Sequence, residues 1–168
     1  MSVHSPIGQF VSVLEQVKKS ANLYQLKLDR NEAATRVVLI DPVVQALGWD
    51  ITNPNMVEFE KTYQDTRVDY ALYGVDEKIK IIIEAKALGV NLNNAKNAFK
   101  LYAYAFKFGI DRVVLTNGIT WQLFSALQPD NQEPLILNLT HGSLVEVAEH
   151  LIQSLDAAKF WSLSDVGP

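Results

Sequence analysis

Apolar positions recur at helical spacing from the start of the chain. Ile7, Phe10, Val11, Leu14 and Val17 are separated by polar residues, which predicts an amphipathic helix over 7–21 packed on a domain. A second helix is predicted to open at Asp29 or Asn31, either of which can cap it, with Glu32 in its first turn. Asp41-Pro42 predicts a fresh cap, because proline is tolerated at a first helical position, and a short further helix to Leu47. Gly48 should end it and Trp49 fold back onto the core. The period then changes to two. Val57 and Phe59 alternate with Glu58 and Glu60 over 56–62, and Val68, Tyr70 and Leu72 alternate with Asp69 and Ala71 over 67–73. Residues 78–88 contain the solid apolar run IKIIIEAKAL, which fits a central strand buried on both faces. A helix over 93–108 follows, then strands over 112–116 and 119–125 joined by Asn117-Gly118, a strong hairpin signal. Residues 134–139 read as an edge strand, 143–159 as a final amphipathic helix and 162–168 as a loose tail. This order predicts a mixed α/β domain, one central sheet with helices on both sides.

The chain has 168 residues, which fits one domain at about 150 residues each. It divides into an N-terminal helical segment (1–30), a core (31–125) and an edge strand with a C-terminal helix (126–168). Apolar types make up 48% and charged types 20%, an ordinary globular balance. With no cysteine, disulfides, thiolate nucleophiles and cysteine-ligated zinc are excluded. The three histidines, His4, His141 and His150, leave little for a histidine-rich metal site or triad. No apolar run approaches the roughly 20 residues of a membrane span, and MSVHSPIGQF lacks a basic-then-apolar leader layout, so a soluble cytoplasmic protein is expected.

Charge is distributed unevenly. The net charge of −4 argues weakly against a nucleic-acid partner. Yet no acid lies between Glu84 and Asp111, while Lys86, Lys96, Lys100 and Lys107 all do. In the predicted helix, Ala98, Leu101, Tyr102, Ala105 and Phe106 share one face and Lys96, Lys100, Tyr104 and Lys107 the other. A basic stripe without balancing acids suits phosphates better than a merely solubilising face, which interleaves both signs.

The candidate chemistry sits just before that helix. Glu84 and Lys86 are two apart on a strand and share a face. Charges inside an apolar run are costly unless compensated. If the strands over 67–73 and 78–88 pair as a meander, Asp69 approaches Glu84. Two carboxylates beside a lysine make an oxygen-ligand site for a hard cation, Mg²⁺ or Mn²⁺. The same residues also fit a buried structural ion pair, Glu84 or Asp69 with Lys86, since buried charges are paired in either case. Glu60 either faces that side or is an exposed strand charge. Glu32 either reaches a metal through water or simply favours the helix N-terminus. Arg36, one turn on, is expected to pair with Glu32.

From Asn31 to Phe124 the sequence resembles the N-terminal nuclease domain of type I restriction enzyme R subunits, within the PD-(D/E)xK nuclease superfamily. The matching segments, in order, are NEAATRVVLIDPVVQALGWD, VEFEK, TRVDYAL, IIIEAK and VVLTNGITWQLF. The resemblance implies a restriction-endonuclease-like fold with 31–125 as the nuclease core. It also implies Asp69, Glu84 and Lys86 as the catalytic set, and matches Glu32 to a glutamate of the opening helix. Two departures stand out. Lys100 occupies the glutamine position of a Q-x-x-x-Y element whose Tyr104 is kept, and no G-x-x-x-x-G-K-[ST] phosphate loop occurs in the chain.

The expected function is therefore a Mg²⁺-dependent (or Mn²⁺-dependent) deoxyribonuclease without its own translocase. Asp69 and Glu84 would hold the metal with the Ala85 carbonyl, and Lys86 would orient water or stabilise charge on phosphorus. Lys96, Lys100 and Tyr104 would grip the DNA backbone, with Glu60 and Glu32 as auxiliary acids. A separate ATP-dependent translocase or specificity subunit is an expected partner. The rival expectation is a catalytically silent DNA-binding or partner-docking module on the same fold.

Overall fold

The apolar run at residues 79–85 becomes β3 (Ile79–Ala85), an interior strand of a six-stranded sheet, in a computed structural model describing residues 6–125 and 133–162. The sheet runs β1 (Val57–Tyr63), β2 (Thr66–Tyr73), β3, β4 (Arg112–Thr116), β5 (Thr120–Ser125) and β6 (Leu135–Asn138) in chain order. Every neighbouring pair is antiparallel except β3 with β4. A parallel neighbour requires a crossover, and α5 (Ala95–Phe108) supplies it.

The remaining helices are α1 (Pro6–Leu23), α2 (Gln25–Leu28), α3 (Glu32–Thr35), α4 (Asp41–Ala46) and α6 (Leu144–Leu155). On one side of the sheet, Leu14 of α1, Leu39, Val43 of α4 and Leu151 of α6 enclose Tyr70, Leu72, Ile81 and Ile83 in the larger core. On the other side, Leu101 and Ala105 of α5 cover Val68, Ala71, Ile82, Val113 and Leu115. Helices thus flank a mixed sheet on both sides, as the element order implies. Trp49 folds back as expected, fully buried, and its indole N–H donates to the Leu155 carbonyl at 2.8 Å.

Four details depart from the sequence reading. The second and third helices are not separated by a cap at Asp41. Residues Arg36–Ile40 form a π turn between α3 and α4, and the Asp41 amide donates to the Arg36 carbonyl. Pro42 removes one N–H and crowds the preceding turn, which a widened turn accommodates without ending the helix. β2 does not alternate cleanly either: Val68 and Ala71 join the α5-side core while Tyr70 and Leu72 join the other, so the phase slips at Asp69. The central strand stops at Ala85, although the Lys86 amide still donates to the Thr116 carbonyl at 2.8 Å. The last helix ends at Leu155, followed by a 3₁₀ turn at Ala157–Lys159. Residues 163–168 of the predicted tail lie outside the described residues, as do residues 126–132.

Candidate active site

Strand register builds the site. Tyr70 pairs with Phe59 on one side and Ile83 on the other, so the next row sets Glu60, Asp69 and Glu84 side by side across β1, β2 and β3. Glu60 holds a φ of 56°, a left-handed conformation uncommon for a residue with a side chain, at the point where β2 loses its alternation. Asp69 and Glu84 are each 8% exposed, so both carboxylates are buried. Of the three expected site residues, Asp69 and Glu84 interact across adjacent strands and Lys86 pairs with Glu84.

The two carboxylates have different surroundings. Asp69 Oδ2 accepts a 2.7 Å hydrogen bond from the Ala85 amide, and Oδ1 lies 3.7 Å from Arg36 Nη1. Glu84 Oε1 lies 3.1 Å from Lys86 Nζ and 3.8 Å from Lys100 Nζ. Glu84 Oε2 is buried with no hydrogen-bond partner. Burial, and after it repulsion from Asp69, push the Glu84 carboxyl above its ordinary value, against the pull of Lys86 and Lys100. Burial likewise raises Asp41, which accepts the Tyr70 hydroxyl hydrogen bond at 2.6 Å beneath the site.

These features fit a hard cation. Mg²⁺ is commonly held by one or two carboxylates while keeping several waters, and an unpaired buried carboxylate oxygen beside a second carboxylate is such a donor pair. Among the described residues no group of three acidic, histidine or cysteine side chains converges, so the protein's side-chain contribution would be limited to Asp69 and Glu84.

Arg36 does not form the expected helix pair with Glu32. Its guanidinium donates to Glu60 Oε1 at 2.7 Å and to the Asp69 carbonyl at 3.3 Å, and lies 4.8 Å from the centre of the Tyr70 ring. Glu60 is also paired with Arg67, so it serves two arginines rather than the Asp69–Glu84 gap. Glu32 stays exposed in the first turn of α3, whose cap is Asn31 accepting from the Ala34 amide.

The face assignment on α5 needs correction. Tyr104 is 3% exposed and packs on Phe108, with ring centres 4.5 Å apart, so it braces the helix instead of facing solvent with the lysines. Phe106, expected in the core, is exposed. The buried stripe is Leu101, Tyr104, Ala105 and the partly buried Phe108. A tyrosine buries a large apolar body at little cost, so residue type alone misplaced the stripe by about one position. Lys96 and Lys100 do face outward, and Lys100 also reaches Glu84.

Two supporting residues carried no sequence signal of their role. Asn117, in the β4–β5 turn, donates through Nδ2 to the Leu88 and Val90 carbonyls at 3.1 and 3.3 Å, and its Oδ1 accepts from the Thr120 amide at 2.8 Å. Thr35 Oγ1 accepts from the Leu88 amide at 3.2 Å and hydrogen-bonds the Asn31 carbonyl at 2.8 Å. Together they fix the segment that leaves β3 and carries Lys86. The adjacent Gly118, at φ 89°, lies against Leu39 so closely that a Cβ would fall 2.5 Å from the leucine Cβ.

Residues 31–137 match the family model described as the type I restriction enzyme R protein N terminus. No curated protein matches the chain. Among solved structures, a chain of a DrdV–DNA complex superposes with a TM-score of 0.56 at 16% identity, covering 87% of this chain and 99% of that one. A fragment structure described as a type I restriction enzyme HsdR subunit from Vibrio vulnificus YJ016 gives 0.49 at 21% identity, covering 74% of this chain and 26% of that one. The first likeness bears on the fold alone. No helix among the described residues is long and apolar enough to cross a membrane.

Proposed function

The chain belongs to the family of type I restriction enzyme R protein N termini, and from that premise we propose that it is a divalent-cation-dependent DNA nuclease domain hydrolysing phosphodiesters. The observation that carries this reading is the unpartnered, buried Glu84 Oε2 beside the Asp69 carboxylate. Asp69 and Glu84, with the Ala85 carbonyl, would hold Mg²⁺ or Mn²⁺. Such an ion supplies Lewis-acid polarisation of a phosphoryl oxygen and lowers the pKa of water at neutral pH.

The chain's own groups do the rest. The Lys86 ammonium, 3.1 Å from Glu84, would orient an attacking water or offset charge gathering on the phosphate. Lys100 and Lys96 on the exposed face of α5 neutralise flanking phosphates, giving affinity without base readout. Glu60, through Arg36, holds the main chain of Asp69. Movement along DNA would come from an ATP-dependent translocase, and targeting from a specificity subunit. The DNA bound to DrdV is consistent with DNA as the substrate.

A second reading, a silent DNA-binding or docking module, is favoured by a different observation. Arg36, Lys86 and Lys100 already offset the acids without any metal. Incubating the purified chain with DNA and Mg²⁺ or Mn²⁺ separates the two. Cleavage that Asp69→Ala and Lys86→Ala each abolish, with an unchanged circular dichroism spectrum, is the expected result. Metal-independent binding with no cutting of any DNA by the wild type rejects the nuclease.

A further inference from the structure

The exposed face of α5 presents rings as well as charges. Phe99 is 77% exposed and Phe106 79%, both on the side of the helix that carries Lys96, Lys100, Ala103 and Lys107. A groove lined by Phe99, Lys100, Ala103 and Lys107 runs beside Thr66 at the start of β2. We propose that this face is a stacking platform for unpaired DNA bases, which feeds a single strand toward Glu84.

Three observations select this occupant. No acid occurs between Glu84 and Asp111, so the face complements a polyanion. A second copy seated on the same face would oppose lysines to lysines. The surface is continuous with the candidate site, because Lys100 beside Phe99 lies 3.8 Å from the Glu84 carboxylate. Spacing suits a strand as well. Phe99 and Phe106 are two turns apart, about 10.5 Å along the axis, which matches about three steps of 3.4 Å in a stacked strand. Duplex DNA hides its base faces, whereas unpaired bases offer them to any aromatic ring, and lysines between the rings hold the backbone. Lys107 is partly committed, since it donates to Gln64 and lies over Phe108, which leaves Lys96 and Lys100 as the main phosphate contacts.

The inference deepens the DNA reading above but not its catalytic step, so it is tested without metal. Fluorescence anisotropy in EDTA compares a labelled oligothymidylate of about 15 nucleotides, near one site size, with a duplex of equal length. The wild type should prefer the single strand. The F99A/F106A double variant should lose about a hundredfold of that affinity, at roughly tenfold per ring, with duplex binding unchanged. F99Y/F106Y should restore it and F99L/F106L should not, because stacking needs a π face and not merely an apolar side chain. Unchanged single-strand binding in F99A/F106A overturns the proposal, as does leucine serving as well as phenylalanine. A wild type without single-strand preference overturns it too, and so does a variant whose only change is loss of self-association by light scattering. Cleavage plays no part in this measurement. A chain that stacks single strands but never cuts refutes the nuclease alone, and one that cuts duplex without the preference refutes the platform alone.

Discussion

Replacing Glu84 with glutamine separates the cost of the site from its use. In the wild type a buried carboxylate keeps one oxygen without a partner and faces repulsion from Asp69. Leaving a buried polar atom unsatisfied costs about 1–3 kcal/mol. Glutamine keeps an oxygen for Lys86 and removes the buried charge that Asp69 repels, so Glu84→Gln should stabilise the metal-free chain by that amount. For a chain of this length each kcal/mol moves Tm by about 2–4 °C, which gives a rise of about 2–12 °C by scanning fluorimetry in EDTA. The pH dependence has a definite sign. Glu84 holds its proton more tightly when folded than at its ordinary 4.5, so the native chain binds more protons than the unfolded one just above that pH. Wild-type stability therefore falls as pH climbs through the interval between 4.5 and the raised value, and glutamine lacks this loss. The gap between the two melting curves should widen through that interval and then level off. Adding Mg²⁺ or Mn²⁺ at neutral pH should raise the wild type and close or reverse the gap. A ligand at a hundred times its Kd contributes about 2.7 kcal/mol, here about 5–11 °C, and the variant should show little of it. If Glu84→Gln is less stable than the wild type in EDTA at neutral pH, the lysines hold the carboxylate as a satisfied anion and the reasoning fails. Equal metal responses in both proteins would place any cation elsewhere.

Two further substitutions probe the frame around the site. Arg36→Met should cost about 3 kcal/mol in urea unfolding, because Asp69 is buried and loses its facing cation while the more open Glu60 contributes little; a cost below about 1 kcal/mol, the surface-pair range, would show the guanidinium to be incidental. Gly118→Ala should destabilise by about 1–3 kcal/mol, since φ 89° strains any side chain and its Cβ would meet Leu39, so an unchanged urea midpoint would contradict the close approach seen between the β4–β5 turn and the π turn.

The strands were legible because hydrophobic period is a local property, and in β3 and β4 it alternates between the two cores without a break. The Asp69–Glu84–Lys86 grouping was legible for the same reason, as two short antiparallel strands in sequence leave few registers open. The partner of Arg36 was not. Its contacts lie 24 and 33 residues along the chain, and nothing near it distinguishes a guanidinium that reaches a strand from one that pairs with Glu32 a turn away. The roles of Thr35 and Asn117 were hidden likewise, since each acts on the Leu88 region from a different element. Helix α5 misled through composition. Its residues are so rich in rings that Phe99, Tyr102, Tyr104, Phe106 and Phe108 allow more than one apolar stripe, and only the packing against β2 and β4 selects among them.

Charge balance alone does not separate a cation site from a structural ion cluster, and the distribution of local cost is what favours the cation we propose. A cluster built only for stability would satisfy its oxygens and keep its backbone relaxed. Here three departures gather in one place. Glu60 takes a left-handed φ, the helix widens to a π turn over Arg36–Ile40, and Glu84 Oε2 is left without a donor. Pro42 accounts for the π turn but not for where it aims Arg36, and the sheet could pair without the Glu60 distortion. Asp69 has contacts for both oxygens, whereas Glu84 spends both ammonium contacts on its outer oxygen and none on its buried one. Departures of this kind cluster at functional sites, and an electropositive ligand would supply the partner that the buried oxygen lacks. The silent-module reading explains the lysines and arginine but leaves that oxygen without a purpose. The cation we propose between Asp69 and Glu84 would give that oxygen a partner.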